Sequence, residues 1–166
     1  MRMKYLIVCA VFAIVFAACK KTPEGVDGEI FELSEETTGF VWYKNSDDFL
    51  NKSAGSGHDF PFLRTRFNSA AATQLNANGM VVESAVFPEG SVIVKELFDD
   101  KEKFKRYASL WKNSSSPFAD ADGWVWGYID AKGKVIETAE NKGQSCIGCH
   151  SQAGNIDKIL MNKFFP

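Results

Sequence analysis

The chain has 166 residues, with 19 basic and 21 acidic side chains, a net charge of −2, and a hydrophobic share of 45%. That is enough apolar material for one domain with a real core, and the lack of any basic stripe excludes a nucleic-acid-binding protein. Four cysteines, two of them within the first 19 residues, exclude a disulfide-scaffolded fold.

Arg2 and Lys4 precede an unbroken apolar run of 13 residues from Leu6 to Ala18. The run is short for a membrane span and has the length of a signal-peptide core. It ends in "FAAC", small residues directly before Cys19, which resembles a bacterial lipobox with Phe16 where Leu is usual. Residues 1–18 are expected to be a signal peptide of the lipoprotein type, and Cys19 to be the acylated N-terminus of the exported chain. Cleavage removes Cys9, Arg2 and Lys4, leaving 17 basic against 21 acidic residues, a net charge of about −4. Residues 19–29, with "KKTPEGVDGE", read as a lipid-anchored tether, and 30–166 as the folded domain. The anchor is expected at the periplasmic side of a membrane. Lys20 and Lys21 do not resemble an inner-membrane retention signal, which favours the outer membrane.

Within the domain, "NSDDFLNKS" could begin a helix at Ser46. "FPFLRTRFN" (60–68) alternates, with Phe60 and Phe62 on one face and Leu63, Thr65 and Phe67 on the other, a strand pattern. Asn68 or Ser69 can cap a short helix over the alanines that follow. "FPEG" (87–90) reads as a turn before the β-branched run "SVIVKELF" (91–98), and "FKRYASLWKNS" (104–114) alternates as a further strand. "GWVWGYIDAKGKVIE" (123–137) is a hairpin with Lys132–Gly133 in its turn and Trp124, Trp126 and Tyr128 on one face. The expected class is α+β, a mainly antiparallel β-sheet with a few short helices in a single domain.

"CIGCH" (146–150) carries Cys146 and Cys149, the only free thiol pair of the mature chain, with His150 directly after. Two thiols at this spacing can form thioethers to a porphyrin's two vinyl groups, and the following imidazole can ligate the iron, so the motif predicts one covalent haem c. A zinc site would have to gather His58 with all three motif residues. A thioredoxin-type dithiol would open a helix after a strand, whereas this motif follows a polar loop. The motif stands 16 residues from the end, and only Met161 follows it as a sulfur donor; with Ile159, Leu160 and Phe164 it reads as a hydrophobic anchor. The iron is therefore expected to have an open distal side. A hairpin and a β-branched strand oppose the helical-bundle cytochromes c′.

The strand "FPFLRTRFN", then "FPEGSVIVKEL", "ADGWVWGYIDAKGK" and a late "CIGCH" together resemble the cytochrome P-460 family, which includes the cytochromes c′-β, over roughly residues 58–155. The resemblance implies an antiparallel β domain, one haem c and two activities. Some members oxidise hydroxylamine, with a lysine cross-linked to the porphyrin and a distal carboxylate. The c′-β members lack the cross-link, have a Phe-lined distal pocket, and bind NO or CO. Neither Lys95 nor any other lysine carries over securely as the cross-link, and Asp130 reads as solvated at its hairpin turn. Candidate distal residues are Phe60, Phe62, Arg66, Phe67, Phe87 and Trp126, with Arg64 and Arg66 also candidates to pair with haem propionates. The expected function is to bind or handle NO or a related small nitrogen species. The alternatives are a hydroxylamine-oxidising enzyme and a six-coordinate electron-transfer cytochrome, with a sixth ligand such as Met161 or Met80; His58, remote in sequence like Met80, also stays open as a ligand. Expected partners are the small gaseous or nitrogen-oxide ligand, a redox partner protein, the membrane through the lipid anchor, and a second copy of the chain.

Overall fold

The computed structural model describes residues 21–166; the apolar leader, Cys9 and Cys19 lie outside the described residues. The scaffold is one seven-stranded antiparallel sheet. Its strands are β1 (Val41–Trp42), β2 (Leu50–Asn51), β3 (Phe62–Phe67), β4 (Val92–Phe98), β5 (Phe104–Lys112), β6 (Trp124–Asp130) and β7 (Val135–Glu137). The order runs β1-β3-β4-β5-β6-β7, with β2 also pairing β3. Four helices are short or peripheral: α1 (Gly25–Glu35), α2 (Ser69–Ala72), α3 (Ile147–His150) and α4 (Met161–Phe164). The α+β class, mainly antiparallel sheet, is as the alternating segments predict. Among the described residues no helix is long and apolar enough to cross a membrane.

Register divides the sheet into two faces, because residues opposite one another on neighbouring strands project to the same side. One row runs Thr65–Lys95–Ala108–Tyr128 and the next Phe67–Ile93–Leu110–Trp126. This face packs the larger core, including Leu63, Leu97, Trp124 and Met161. The row between them, Arg66–Val94–Ser109–Gly127, faces the other way.

That second face is covered by α1, which corrects the expected tether. The segment turns helical at Gly25, ahead of the expected domain start at Ile30, because Val26, Ile30, Phe31 and Ser34 form one buried stripe at helical spacing. Val26, Ile30 and Phe31 pack on Val125 and Ile129. The Ser34 hydroxyl donates to Ile30 O at 2.5 Å and shares a hydrogen bond with Ser109 Oγ at 2.6 Å. Asp27 ties the helix start to the exit of β7, accepting from Thr138 Oγ1 (2.7 Å) and Ala139 N (2.8 Å).

Two other local expectations fare differently. Asn68 caps α2, its side chain accepting from Ala71 N at 2.9 Å. Ser46 starts no helix. Its hydroxyl accepts from Asp48 N (3.1 Å) and donates to the Asp48 carboxylate (2.7 Å), closing a side-chain turn, and the chain continues into β2.

Gly127 is the point of closest approach between α1 and the sheet. A Cβ there would stand 2.9 Å from Ile30 Cγ2 and 3.0 Å from its Cδ1. Gly127→Ala is expected to cost about 1–3 kcal/mol by overpacking, measured by urea unfolding. In an Ile30→Ala background the added cost should fall toward zero.

Candidate functional site

The sheet face carrying Thr65, Lys95, Ala108 and Tyr128 forms the floor of a cavity of about 270 Å³. Loop residues Ser56–Asp59 border it, together with Ser145, Cys146, Cys149 and His150 and with Ile159–Met161, Phe164 and Phe165. Cys146, Cys149 and His150 all line it, and both thiols are free. The bends that bring the motif here come from Lys142 and Gly143, both in the left-handed region (φ 51° and 69°). Cys146 N and Ile147 N then donate to Gly143 O at 2.8 Å, and His150 N to Cys146 O at 3.1 Å, setting Cys146 one helical turn before His150. Only glycine fits at 143, since a Cβ would meet the Trp126 ring at 2.6 Å.

His150 is held in one tautomer. Its Nδ1 lies 2.7 Å from Lys158 O, and a carbonyl can only accept, so Nδ1 carries the proton and Nε2 keeps its lone pair. The Trp126 ring meets the imidazole edge-on at 5.1 Å, and its own Nε1 donates to Asp120 Oδ2 at 2.9 Å. Burial pushes the His150 imidazole down to about 4, so it is neutral near pH 7, as a metal ligand must be. Burial raises the Cys146 thiol above its usual range.

The Lys158 carbonyl is fixed in turn. Asp157 and Lys158 adopt positive φ (43° and 71°), inside a tight loop closed by the Ile156–Ile159 bridge. The Asp157 carboxylate accepts from Phe87 N (2.9 Å), Trp124 Nε1 (3.0 Å) and Lys112 Nζ (3.3 Å).

These residues fit a covalently bound haem. Two unpaired thiols and an imidazole with a free Nε2 converge on a cavity whose walls include Ile93, Leu110, Ile159 and Leu160. They fit a four-ligand metal poorly, for among the described residues no three of His, Cys, Asp and Glu are gathered to hold an ion. Cys146 and Cys149 would carry the porphyrin and His150 Nε2 would ligate its iron.

Of the six candidate distal residues, the structure brings only Trp126 onto the cavity. Phe62 and Arg66 are corrections: they lie on the opposite face, by strand alternation. Arg66 is buried there beside α1, its guanidinium donating to Ser34 O at 2.5 Å and pairing with Glu96. Arg64 pairs with Glu96 on that same face (2.5 Å), so neither arginine reaches a propionate in the cavity. Phe67 and Phe87 are on the cavity's side of the sheet but buried in the core, stacked on each other at 6.4 Å, and do not line it. Phe60 is half-buried and packs beside the Arg106 guanidinium (5.3 Å) instead of lining the cavity. Met161 lines the cavity with its sulfur accepting from the Thr65 hydroxyl at 3.4 Å, while Met80 packs against the core away from the cavity.

Lys95, which did not carry over securely as the cross-link lysine, lines the cavity. Its signal was a lysine centred in the buried strand "VIVKELF", on the face opposite Glu96. It has no hydrogen-bond or ion-pair partner among the described residues, and its enclosure pushes the ammonium down to about 8. Asp59, Tyr128 and Glu137 add further polar groups to the lining.

Asp157 is the support most open to test. Asp157→Ala leaves the Lys112 ammonium buried without its partner and is expected to cost about 3 kcal/mol, read from urea unfolding. Asp157→Asn, which keeps an acceptor for Trp124 and Phe87 N, should cost clearly less.

No curated protein matches the chain. The family model for cytochrome P460 matches residues 64–160. That span holds most of β3, all of β4 to β7, the motif and the loop that orients His150. The chain therefore belongs to the cytochrome P460 family, which makes haem the cofactor expected in this cavity.

Proposed function

We propose that this protein is an exported, lipid-anchored cytochrome with a single haem c, and that it binds nitric oxide or a related small nitrogen species. The observation that carries this reading is the make-up of the cavity: Ile93, Leu110, Trp126, Ile159 and Leu160 line it beside the motif. These apolar walls suit a small uncharged guest, and charged groups, among them Lys95, Asp59 and Glu137, make up part of the rest of the lining. When bound, the haem supplies an iron coordination position that a diatomic molecule can take. Cys146 and Cys149 anchor the group through thioethers. His150 gives its Nε2 to the metal while Lys158 O holds its Nδ1 proton, and Trp126 keeps the imidazole from rotating. The leader and Cys19 supply the exported setting that thioether formation needs.

A second reading, oxidation of hydroxylamine, is favoured by one observation: the unpaired Lys95 lines the same cavity as both cysteines. It is the residue whose amine could form the cross-link that the family's hydroxylamine-oxidising members carry. Asp59 and Glu137 would then be the carboxylates at hand to take protons.

The test is an anaerobic titration of the ferrous protein with NO, followed optically. One NO per haem, with a saturable spectral change, is expected. No change at any NO concentration rejects the binding role. Replacing Cys146 and Cys149 together by Ala should abolish covalent haem, and haem that survives acid–acetone extraction in that variant rejects the attachment.

The same spectra separate the two activities. A far-red band in the ferrous protein that disappears in Lys95→Arg, together with hydroxylamine-dependent dye reduction, supports the oxidase. A spectrum that Lys95→Arg leaves unaltered supports gas binding without a cross-link.

A further inference from the structure

The cavity contains a second imidazole. His58 sits in the irregular segment 52–61, and its ring centre is 6.3 Å from that of His150, the planes at 80°. The position is anchored from both sides. Lys52 Nζ donates to His58 O at 3.0 Å, and Lys52 N donates to Pro61 O at 2.7 Å, closing the segment on itself. The next residue, Asp59, accepts from Arg106 Nη1 (2.6 Å) and from the Tyr128 hydroxyl (3.3 Å), both on the cavity's side of the sheet. The His58 ring itself lies beside that of Tyr128, at 6.0 Å.

Neither ring nitrogen of His58 has a hydrogen-bond partner among the described residues, and the side chain lines the cavity. The ring is half-buried, so its nitrogens remain accessible from the cavity, and neutral imidazole is the commonest protein ligand for metals. The spacing supplies the rest. A metal–imidazole bond of ~2 Å, plus ~1 Å from nitrogen to ring centre, sets two rings on opposite sides of one ion ~6 Å apart. The observed separation is 6.3 Å. The Met161 sulfur, also on the cavity, already accepts from the Thr65 hydroxyl.

Resting on the assignment of the haem to Cys146, Cys149 and His150, we infer that His58 is the second axial ligand of the iron and that a gas binds by displacing it. His150 is fixed by a tight loop and a buried carboxylate, whereas His58 belongs to a surface segment whose neighbours Ala54, Gly55 and Gly57 are exposed. The two ligands therefore differ in how readily they leave. His58 detaches and His150 stays.

The experiment uses the full-length haem-loaded protein, with covalent haem first confirmed by pyridine haemochrome. The ferric form is expected to be low-spin by electron paramagnetic resonance. His58→Ala and His58→Gln should both convert it to high-spin, and added imidazole should restore the low-spin signal in the alanine variant. With CO and the ferrous protein, the wild-type binding rate should level off as CO rises, and that of His58→Ala should rise linearly. If about one molecule in ten has His58 detached, the variant's apparent CO affinity should be ~10-fold tighter. A high-spin wild type overturns the inference, as does a low-spin signal that persists in both variants, which would assign the ligand to another side chain on the cavity, Met161 or Lys95. A preparation without covalent haem fails at the haemochrome step, and with it the attachment reading on which the inference rests.

Discussion

The imidazole of His150 donates its Nδ1–H to Lys158 O at 2.7 Å, and the chemistry of the cavity depends on that bond, because it leaves the Nε2 lone pair free. The carbonyl does not reach this place by local preference. Two consecutive non-glycine residues, Asp157 and Lys158, sit at positive φ, a conformation that costs energy and persists only where the surroundings hold it. What holds it is the Asp157 carboxylate, which gathers the backbone N–H of Phe87, the indole of Trp124 and the ammonium of Lys112. Those three groups come from the loop before β4, from β6 and from β5. Formation of the sheet thus fixes the orientation of a histidine that belongs to no strand.

Strand alternation distributes charge across the sheet in a way that matters to the cavity. Lys95 and Glu96 are adjacent in sequence and opposite in sign, yet they project to opposite faces. Glu96 is taken up by Arg64 and Arg66 beneath α1. A buried pair of this kind is weak support for stability in itself, but removing one partner would strand a charge. For the cavity, the consequence is that the nearest carboxylate in sequence is unavailable to Lys95. The lysine stands in the cavity without an ion-pair partner among the described residues, where burial makes its amine easier to deprotonate than on a surface.

Much of this was legible in the sequence. The alternation in 60–68 separated Leu63, Thr65 and Phe67 from Phe62, and the structure keeps that division. The Trp124–Trp126–Tyr128 face, the Asn68 cap and the hairpin about Lys132–Gly133 followed from period and turn chemistry. The thiol pair and His150 followed from spacing. Alternation fixes only which residues share a face, however, and not which face meets the cavity. That was decided by α1, whose stripe of Val26, Ile30, Phe31 and Ser34 was obscured by the Pro, Gly and acidic residues around it. Once α1 claims the face of Arg66, both arginines and Phe62 leave the cavity. Lys95 and His58 could be named from the sequence but not placed, for another reason. Each reaches the site through long-range register or through an anchor such as Asp59 on Arg106, and local pattern does not show which cavity either one lines.

The assignment of His58 also changes how the functional readings relate to one another. A six-coordinate electron carrier and an open gas-binding haem are alternatives if the second ligand is fixed or absent. They become two states of one protein if that ligand is held by a loop. In that case the apolar part of the wall, Ile93, Leu110 and Leu160, would add little to a gas's affinity, which would be set mainly by what the guest must displace. A ligand can shift such an equilibrium only by its differential affinity for the two states. NO, which bonds to haem iron more strongly than imidazole does, could drive His58 off, while weaker guests such as water could not. The fold would then select its guest by competition at the metal, and the apolar wall would serve chiefly to keep ions and bulk water from joining that competition.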